Sequence, residues 1–311
     1  MSIFEKAFVK AGKGTGEEQA DPLFDSSDGL MNIPESLDEE GTGSGLAEGP
    51  DFGLWSENQP PAAGSGKQVT LDLSRLRDAG LVDPQSNKTN RTTEEFRRIK
   101  RPLLMHIRGE GATVVDNANM IMVTSALPGE GKTFTSINLA MSIAMEMDKT
   151  VLLIDADVAK PDVTARLGVE AEKGLIDVLL DDGLTLPDVL LRTDIPKLTL
   201  LPSGSRHVHS TELLASERMR QLTLELSSRY SDRIVIFDSP PLLLTSESRV
   251  LAGLVGQIVL VTEESRTPQH AVKEAVELLD DNEIVGIVMN KGTHRKDSDG
   301  YGGYGYYPYG R

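Results

Sequence analysis

The sequence predicts an α/β fold: a mainly parallel sheet with helices on both faces, preceded by an acidic linker and followed by a tyrosine-rich tail. Three observations carry this reading. Six short apolar runs, at 120–124, 151–154, 198–201, 234–237, 257–262 and 284–289, are separated mostly by segments of helical period. Runs apolar on both faces suit parallel strands covered on two sides, because half-exposed strands alternate. The apolar residues also cluster almost entirely after residue 100, while Gly, Pro, Ser and acids dominate 12–66.

Taken in order, Ile3, Phe4, Ala7, Phe8 and Ala11 have helical spacing, so 1–13 is expected as a short amphipathic helix. Residues 14–66 carry 12 Asp and Glu, no Lys or Arg, and no sustained period, which predicts a disordered linker. A folded domain is expected over 67–292. Within it, Thr92 and Glu95 have capping-box spacing and open a helix over 94–101 that Pro102 ends or kinks. A helix over 132–146 places Ile137, Ala140, Met141, Ala144 and Met145 on one face. Another spans 268–279, with Thr267 as N-cap, Pro268 at N1, and Val272, Ala275, Val276 and Leu279 on one face. Residues 293–311 lose all period and form a Gly/Tyr tail.

Bulk properties narrow the function. A chain of 311 residues buries a real core in one α/β domain. With no cysteine there is neither a disulfide framework nor a thiolate metal site. No run approaches the ~18–20 apolar residues of a membrane span, and the N-terminus lacks the apolar core of a signal peptide. A soluble, cytoplasmic protein is expected. The net charge of −16 disfavours nucleic acid as a partner. His207 and His209 sit two apart in a loop with no third ligand in view, and read as solvated.

The chemistry concentrates at Ala126-Leu127-Pro128-Gly129-Glu130-Gly131-Lys132-Thr133, which follows a strand and opens a helix. That context defines a Walker A phosphate loop and hence a P-loop NTPase. Its first position is Ala where the general pattern has Gly. Pro128, Gly129 and Gly131 would shape a turn whose backbone N–H groups point inward, and the helix from Lys132 adds its positive end, so Gly129, Glu130, Gly131, Lys132, Thr133 and Phe134 are the candidate ATP-binding residues. Lys132 would reach the β- and γ-phosphates of ATP, and the Thr133 hydroxyl would ligate Mg²⁺. Asp155 and Asp157 follow the second apolar run and Asp238 the fourth, so parallel strands deliver carboxylates to one crevice. Singly each acid would serve as an N-cap; beside this loop they read as metal-binding and catalytic groups. Asn290, ending the last strand, is a candidate adenine contact.

Together these motifs resemble those of the bacterial tyrosine kinases, relatives of the ParA/MinD-like ATPases, over roughly residues 90–311. Val151-Leu152-Leu153-Ile154-Asp155-Ala156-Asp157 is similar to that family's second Walker motif and Asp238-Ser239-Pro240-Pro241 to its Walker B. Glu94, Arg97 and Lys100 resemble its Glu-x-x-Arg-x-x-Arg oligomerisation helix; the shifted register Glu95, Arg98, Arg101 matches literally. Tyr301, Tyr304, Tyr306, Tyr307 and Tyr309 resemble its autophosphorylated cluster. One departure is Ala159, where the family usually has Arg, followed by Lys160, which cannot offer the same bidentate fork.

The resemblance implies an ATP- and Mg²⁺-dependent tyrosine autokinase, closest to the exosortase-associated enzymes of exopolysaccharide clusters. It implies a homo-oligomeric ring in which subunits phosphorylate one another. It also implies a separate inner-membrane activator of the polysaccharide chain-length-determinant type, which would recruit the chain to the inner face of the membrane. A ParA/MinD-like switch is the competing reading, and a catalytically degenerate interaction module a third. The ParA/MinD signature lysine would stand at Leu127, which carries no charge to reach across a dimer. An extended tail of about 20 residues spans up to roughly 65 Å, enough to reach a neighbour. The proton acceptor for the tyrosine hydroxyl is Asp157 or Asp155.

Overall fold

The structure, a computed structural model, describes residues 6–8, 67–86, 90–111, 114–228, 233–279 and 284–292. The linker expected over 14–66 and the tail over 293–311, with Tyr301, Tyr304, Tyr306, Tyr307 and Tyr309, lie outside the described residues.

Nine strands form one sheet: β1 Lys6–Phe8, β2 Lys67–Val69, β3 Met120–Ser125, β4 Thr150–Asp155, β5 Leu191–Thr193, β6 Leu198–Leu201, β7 Arg233–Asp238, β8 Gln257–Glu263 and β9 Ile284–Asn290. Their order is β1-β9-β8-β3-β7-β4-β6-β5-β2. From β9 to β6 every pairing is parallel, and β1–β9 and β5–β6 are antiparallel. The helices are α1 Leu73–Asp78, α2 Arg91–Ile107, α3 Lys132–Ala144, α4 Val163–Leu167, α5 Leu175–Leu180, α6 Leu186–Val189, α7 Ser210–Leu214, α8 Glu217–Ser228, α9 Glu247–Ala252 and α10 Gln269–Glu277. Alternate strand residues divide the core in two. Met120, Met122, Leu152 and Ile154 face one helical layer, and Ile121, Val123, Val151 and Leu153 face α2 and α3. The expected mainly parallel sheet, covered on both sides, is therefore present.

Three local expectations are corrected. Residues 6–8, expected in a helix, pair antiparallel with β9. A nine-residue helix is marginal alone in water, whereas the outer edge of β9 offers unpaired backbone groups. Second, α2 begins earlier than expected. Asn90, not Thr92, caps it by accepting from the Thr93 N–H at 2.8 Å, while Glu95 accepts from Arg91 Nε at 2.7 Å. Third, Pro102 sits inside α2 and does not end it. A mid-helix proline costs about 3 kcal/mol. Burial of Leu103 and Leu104 beyond it, on the same face as Phe96 and Ile99, offsets this at roughly 1.5–3 kcal/mol each.

The same face corrects the role expected of Lys100. Its side chain is buried, with Nζ donating to Ser142 O at 2.6 Å and paired with Glu146 Oε1 at 2.6 Å. Lys100 ties α2 to the end of α3. Glu94 and Arg97 are exposed and pair with each other at 2.5 Å. Lys100→Ala should therefore destabilise the chain itself, by about 2–3 kcal/mol, while Arg97→Ala leaves stability nearly unchanged. Urea denaturation below any assembly concentration checks this, and an unshifted midpoint for Lys100→Ala would contradict it.

Candidate active site

The site lies where the sheet order makes a ligand crevice, at the carboxyl ends of β3, β4 and β7. The loop after β3 turns on Gly129 and Gly131, whose φ of +83° and +99° are left-handed conformations suited to glycine. A Cβ on Gly131 would also meet Asn290 Nδ2 at 2.0 Å, so glycine is required there twice over. The loop is fastened from behind. Asn290 Nδ2 donates to Glu130 O at 2.9 Å and Lys291 Nζ to Gly129 O at 2.7 Å. The Glu130 carboxylate accepts from the Leu127 N–H at 2.8 Å and from the Thr267 hydroxyl.

Three carboxylates converge on this loop. Asp155 and Asp238 are register partners at the ends of β4 and β7, both without solvent exposure. Asp238 Oδ1 accepts from Ser136 Oγ at 2.9 Å, and Asp155 Oδ2 accepts from the N–H groups of Val163 and Asp162 at 3.1 and 3.2 Å. Asp155 Oδ1 and Asp238 Oδ2 are buried without a hydrogen-bond partner. Burial, then repulsion from Asp238, pushes the Asp155 carboxyl up to about 8. Burial also pushes Asp238 up to about 6, opposed by Lys132 and the hydroxyls of Thr133 and Ser136. Asp157 Oδ2 pairs with Lys132 Nζ at 2.8 Å, and its Oδ1 accepts from the Lys160 N–H at 3.1 Å.

A cleft of about 300 Å³ opens over these groups, walled by the loop, Asp157 and the turn after β7. Gly129, Gly131, Lys132, Thr133, Phe134 and Asp157 line it, as do Ala159 and Lys160. Asp155, Asp238, Glu130 and Asn290 do not. The first two stand beneath the floor, and the last two brace the loop. Asn290, expected beside adenine, has its amide engaged with Glu130 O and the Lys291 N–H. Ser136, Thr267 and Lys291 were missed by sequence reasoning. Ser136 was findable as one helical turn beyond Lys132. Thr267 reads locally as a helix cap and Lys291 as a loop lysine, so neither gave a signal.

Two buried oxygens without partners, a neighbouring threonine hydroxyl and an N–H-lined loop are the donor set that a Mg²⁺-bound nucleotide phosphate requires. The comparisons agree. Residues 118–269 match the family described as AAA domain. The chain is 34% identical over 244 residues to the tyrosine-protein kinase YwqD of Bacillus subtilis, covering 78% of this chain and 93% of that protein. The chain belongs to the bacterial tyrosine kinase family.

Another family member, the tyrosine-protein kinase wzc of Salmonella typhimurium, is 33% identical over 239 residues, covering 76% of this chain but 31% of that longer protein. The kinase domain of VpsO, a solved structure, matches with TM-score 0.53 and 29% identity, over 66% of this chain and all of that one.

The raised carboxylates set a pH dependence. Their folded values lie above the unfolded value near 3.9, so the stability their protonation contributes is complete at low pH. It is lost as pH rises through about 6 for Asp238 and about 8 for Asp155. Asp155→Asn should raise the metal-free melting temperature at pH 8, by about 2–4 °C for each kcal/mol relieved in a domain of this size, with the gain shrinking toward pH 4. The same variant should lose most of the stabilisation that Mg²⁺ and nucleotide give the wild type. Calorimetry across pH checks both, and a gain that grew on acidification would contradict the assignment.

Proposed function

We propose that the chain is an ATP-dependent protein-tyrosine kinase acting on its own C-terminal cluster, in an exopolysaccharide pathway. The observation that carries this is the pairing of Lys132 with Asp157 above two buried carboxylates, each with one oxygen left without a partner, in a chain whose named relatives are tyrosine kinases. On nucleotide binding Lys132 would turn from Asp157 to the β- and γ-phosphates, which frees the carboxylate. Thr133, Asp155 and Asp238 would hold Mg²⁺, which supplies neutralisation of phosphate charge. Backbone N–H groups of Gly129, Glu130 and Gly131 would orient the phosphates, with Phe134 at the cleft wall.

Between the two base candidates, placement favours Asp157. It lines the cleft, whereas Asp155 lies beneath it with one oxygen held by two backbone N–H groups. Asp157 would take the tyrosine proton as Oη bonds to the γ-phosphorus. The bond from that phosphorus to the bridging oxygen breaks, and ADP departs with the electron pair. The acceptors would be Tyr301, Tyr304, Tyr306, Tyr307 and Tyr309 of a neighbouring copy in a ring.

The exposed residues Glu94, Arg97, Arg98 and Arg101 give α2 a charged outer face for that contact. No helix among the described residues is long and apolar enough to cross a membrane. An inner-membrane chain-length-determinant-type activator would recruit the chain to the cytoplasmic face. The partition-type alternative is disfavoured by Leu127, which packs against the core and carries no charge.

A mixing experiment tests catalysis and direction together. Lys132→Met with an intact tail is incubated with a wild-type catalytic site whose five tail tyrosines are Phe, plus Mg²⁺ and ATP. Intact-mass spectrometry should show phosphate on the Lys132→Met chain only in the mixture. Phosphate on that chain alone would show that another enzyme modifies it. None in the mixture, with wild type alone modified, would mean transfer within one chain.

A further inference from the structure

We infer that the cleft wall formed by the turn after β7 is the acceptor subsite, with Leu244 and Lys160 selecting a tyrosine in an acidic context. The inference rests on the kinase reading above and names its acceptor class.

The cleft lining is of two chemical kinds. The loop glycines, Lys132, Thr133 and Asp157 suit a phosphate. Pro240, Pro241 and Leu244, from the turn after β7, form an apolar surface that offers a phosphate nothing. Leu244 is 63% exposed at this wall, so its side chain is available to a ligand in the cleft. It is also held in position. The Leu244 N–H donates to Pro241 O at 3.3 Å, and the hydroxyls of Thr245 and Ser248 each donate to the same carbonyl at 3.2 Å. A preformed apolar wall beside a phosphate site suits an aromatic ring whose polar tip must reach the phosphorus.

Charge identifies the surrounding residues of the acceptor. Three cations line the cleft: Lys132, Lys160 and Arg166. Lys132 faces Asp157 at 2.8 Å and Arg166 faces Asp162 at 2.5 Å. Lys160 is exposed, and its side chain has no ion-pair partner among the described residues. The occupant that fits is the chain's own tail. The charges nearest Tyr301 are Asp299 and Asp297, two and four residues before it, with Lys296 and Arg295 further back, and Gly300, Gly302 and Gly303 present no side chain to obstruct the approach. Two extended residues span about 7 Å, so a carboxylate beside the ring falls within reach of a rim lysine.

The test uses the full chain with its five tail tyrosines changed to Phe, and a synthetic peptide of residues 297–311 as acceptor. A second peptide carries Asp297→Asn and Asp299→Asn. KM is measured for peptide and for ATP, and peptide affinity by fluorescence anisotropy with Mg²⁺ and a non-hydrolysable ATP analogue. Leu244→Ser should raise KM and Kd for both peptides about tenfold, with KM for ATP within about twofold. Lys160→Glu should weaken the acidic peptide about tenfold more than the Asn peptide, the signature of a direct charge pair.

Equal losses for both peptides with a parallel rise in KM for ATP would place Lys160 on the phosphate and overturn its assignment. Unchanged peptide affinity in Leu244→Ser would remove the subsite. If no variant transferred phosphate but peptide binding still responded to both changes, the kinase reading would fall and the subsite would stand. No peptide binding to any form would overturn the inference.

Discussion

Two carboxylates placed side by side without solvent, Asp155 and Asp238, are the constraint on which this site depends. Parallel pairing of β4 with β7 puts them in register, and one oxygen of each is left without a partner. An apolar pair at these positions would give a quieter core, since unpartnered buried oxygens are costly. What the fold retains instead is a cation-seeking floor beneath a loop of N–H donors. Burial disfavours the charged form of both, and repulsion from Asp238 adds to this for Asp155, so both carboxyls are pushed upward. Stability and ligand binding therefore draw on the same groups, and the domain is tightest when its floor is neutralised.

Above that floor, the phosphate loop is shaped by residues that never touch the cleft. Asn290 lies against Gly131 and donates to Glu130 O, Lys291 donates to Gly129 O, and Thr267 holds the Glu130 side chain. All three come from the ends of β8 and β9 or the turn between β8 and α10. Asn290 and Lys291 engage two loop carbonyls and Thr267 the Glu130 carboxylate, which fixes the loop in a shape suited to an anion. Such preorganisation is what electrostatic catalysis asks of a scaffold, because donors already in place need no rearrangement as charge develops. Lys291 is also the first residue beyond β9, so the chain leaves for its tyrosine tail directly from a contact with the loop.

Much of this was legible before any coordinates. The six central strands were readable because strands buried on both faces announce themselves as continuous apolar runs. The loop, Lys132, Thr133 and the three aspartates were readable because phosphate chemistry needs those residue types at a strand–helix junction. What was not legible depended on tertiary choice. Pro102 looked like a terminator because the burial of Leu103 and Leu104 beyond it is invisible to a local rule. Lys100 looked like a surface lysine because Ser142 O and Glu146 are more than 40 residues away. Residues 3–8 have a helical pattern, yet the open edge of β9 drew Lys6–Phe8 into the sheet. Lys291 carries no pattern and Thr267 only that of a helix cap, since their contacts with the loop arise only from the packing of distant segments.

The placement of Lys100 changes how α2 should be understood. If its three motif residues all faced outward, the helix would be a handle attached to the domain by apolar contacts alone. Instead Lys100 anchors it to the far end of α3, while Phe96 packs on Phe134 at the near end with ring centroids 6.3 Å apart. The helix thus touches α3 at both ends, and α3 begins at the phosphate loop. Phe134 itself lines the cleft. Phe96 and Phe134, with ring planes tilted by 57°, thus link α2 to the cleft wall by direct packing. Close-packed interiors transmit displacement over such a distance instead of absorbing it. A subunit bound to the outer face carrying Glu94 and Arg97 would therefore act on a helix already in contact with the wall of the site it is to serve.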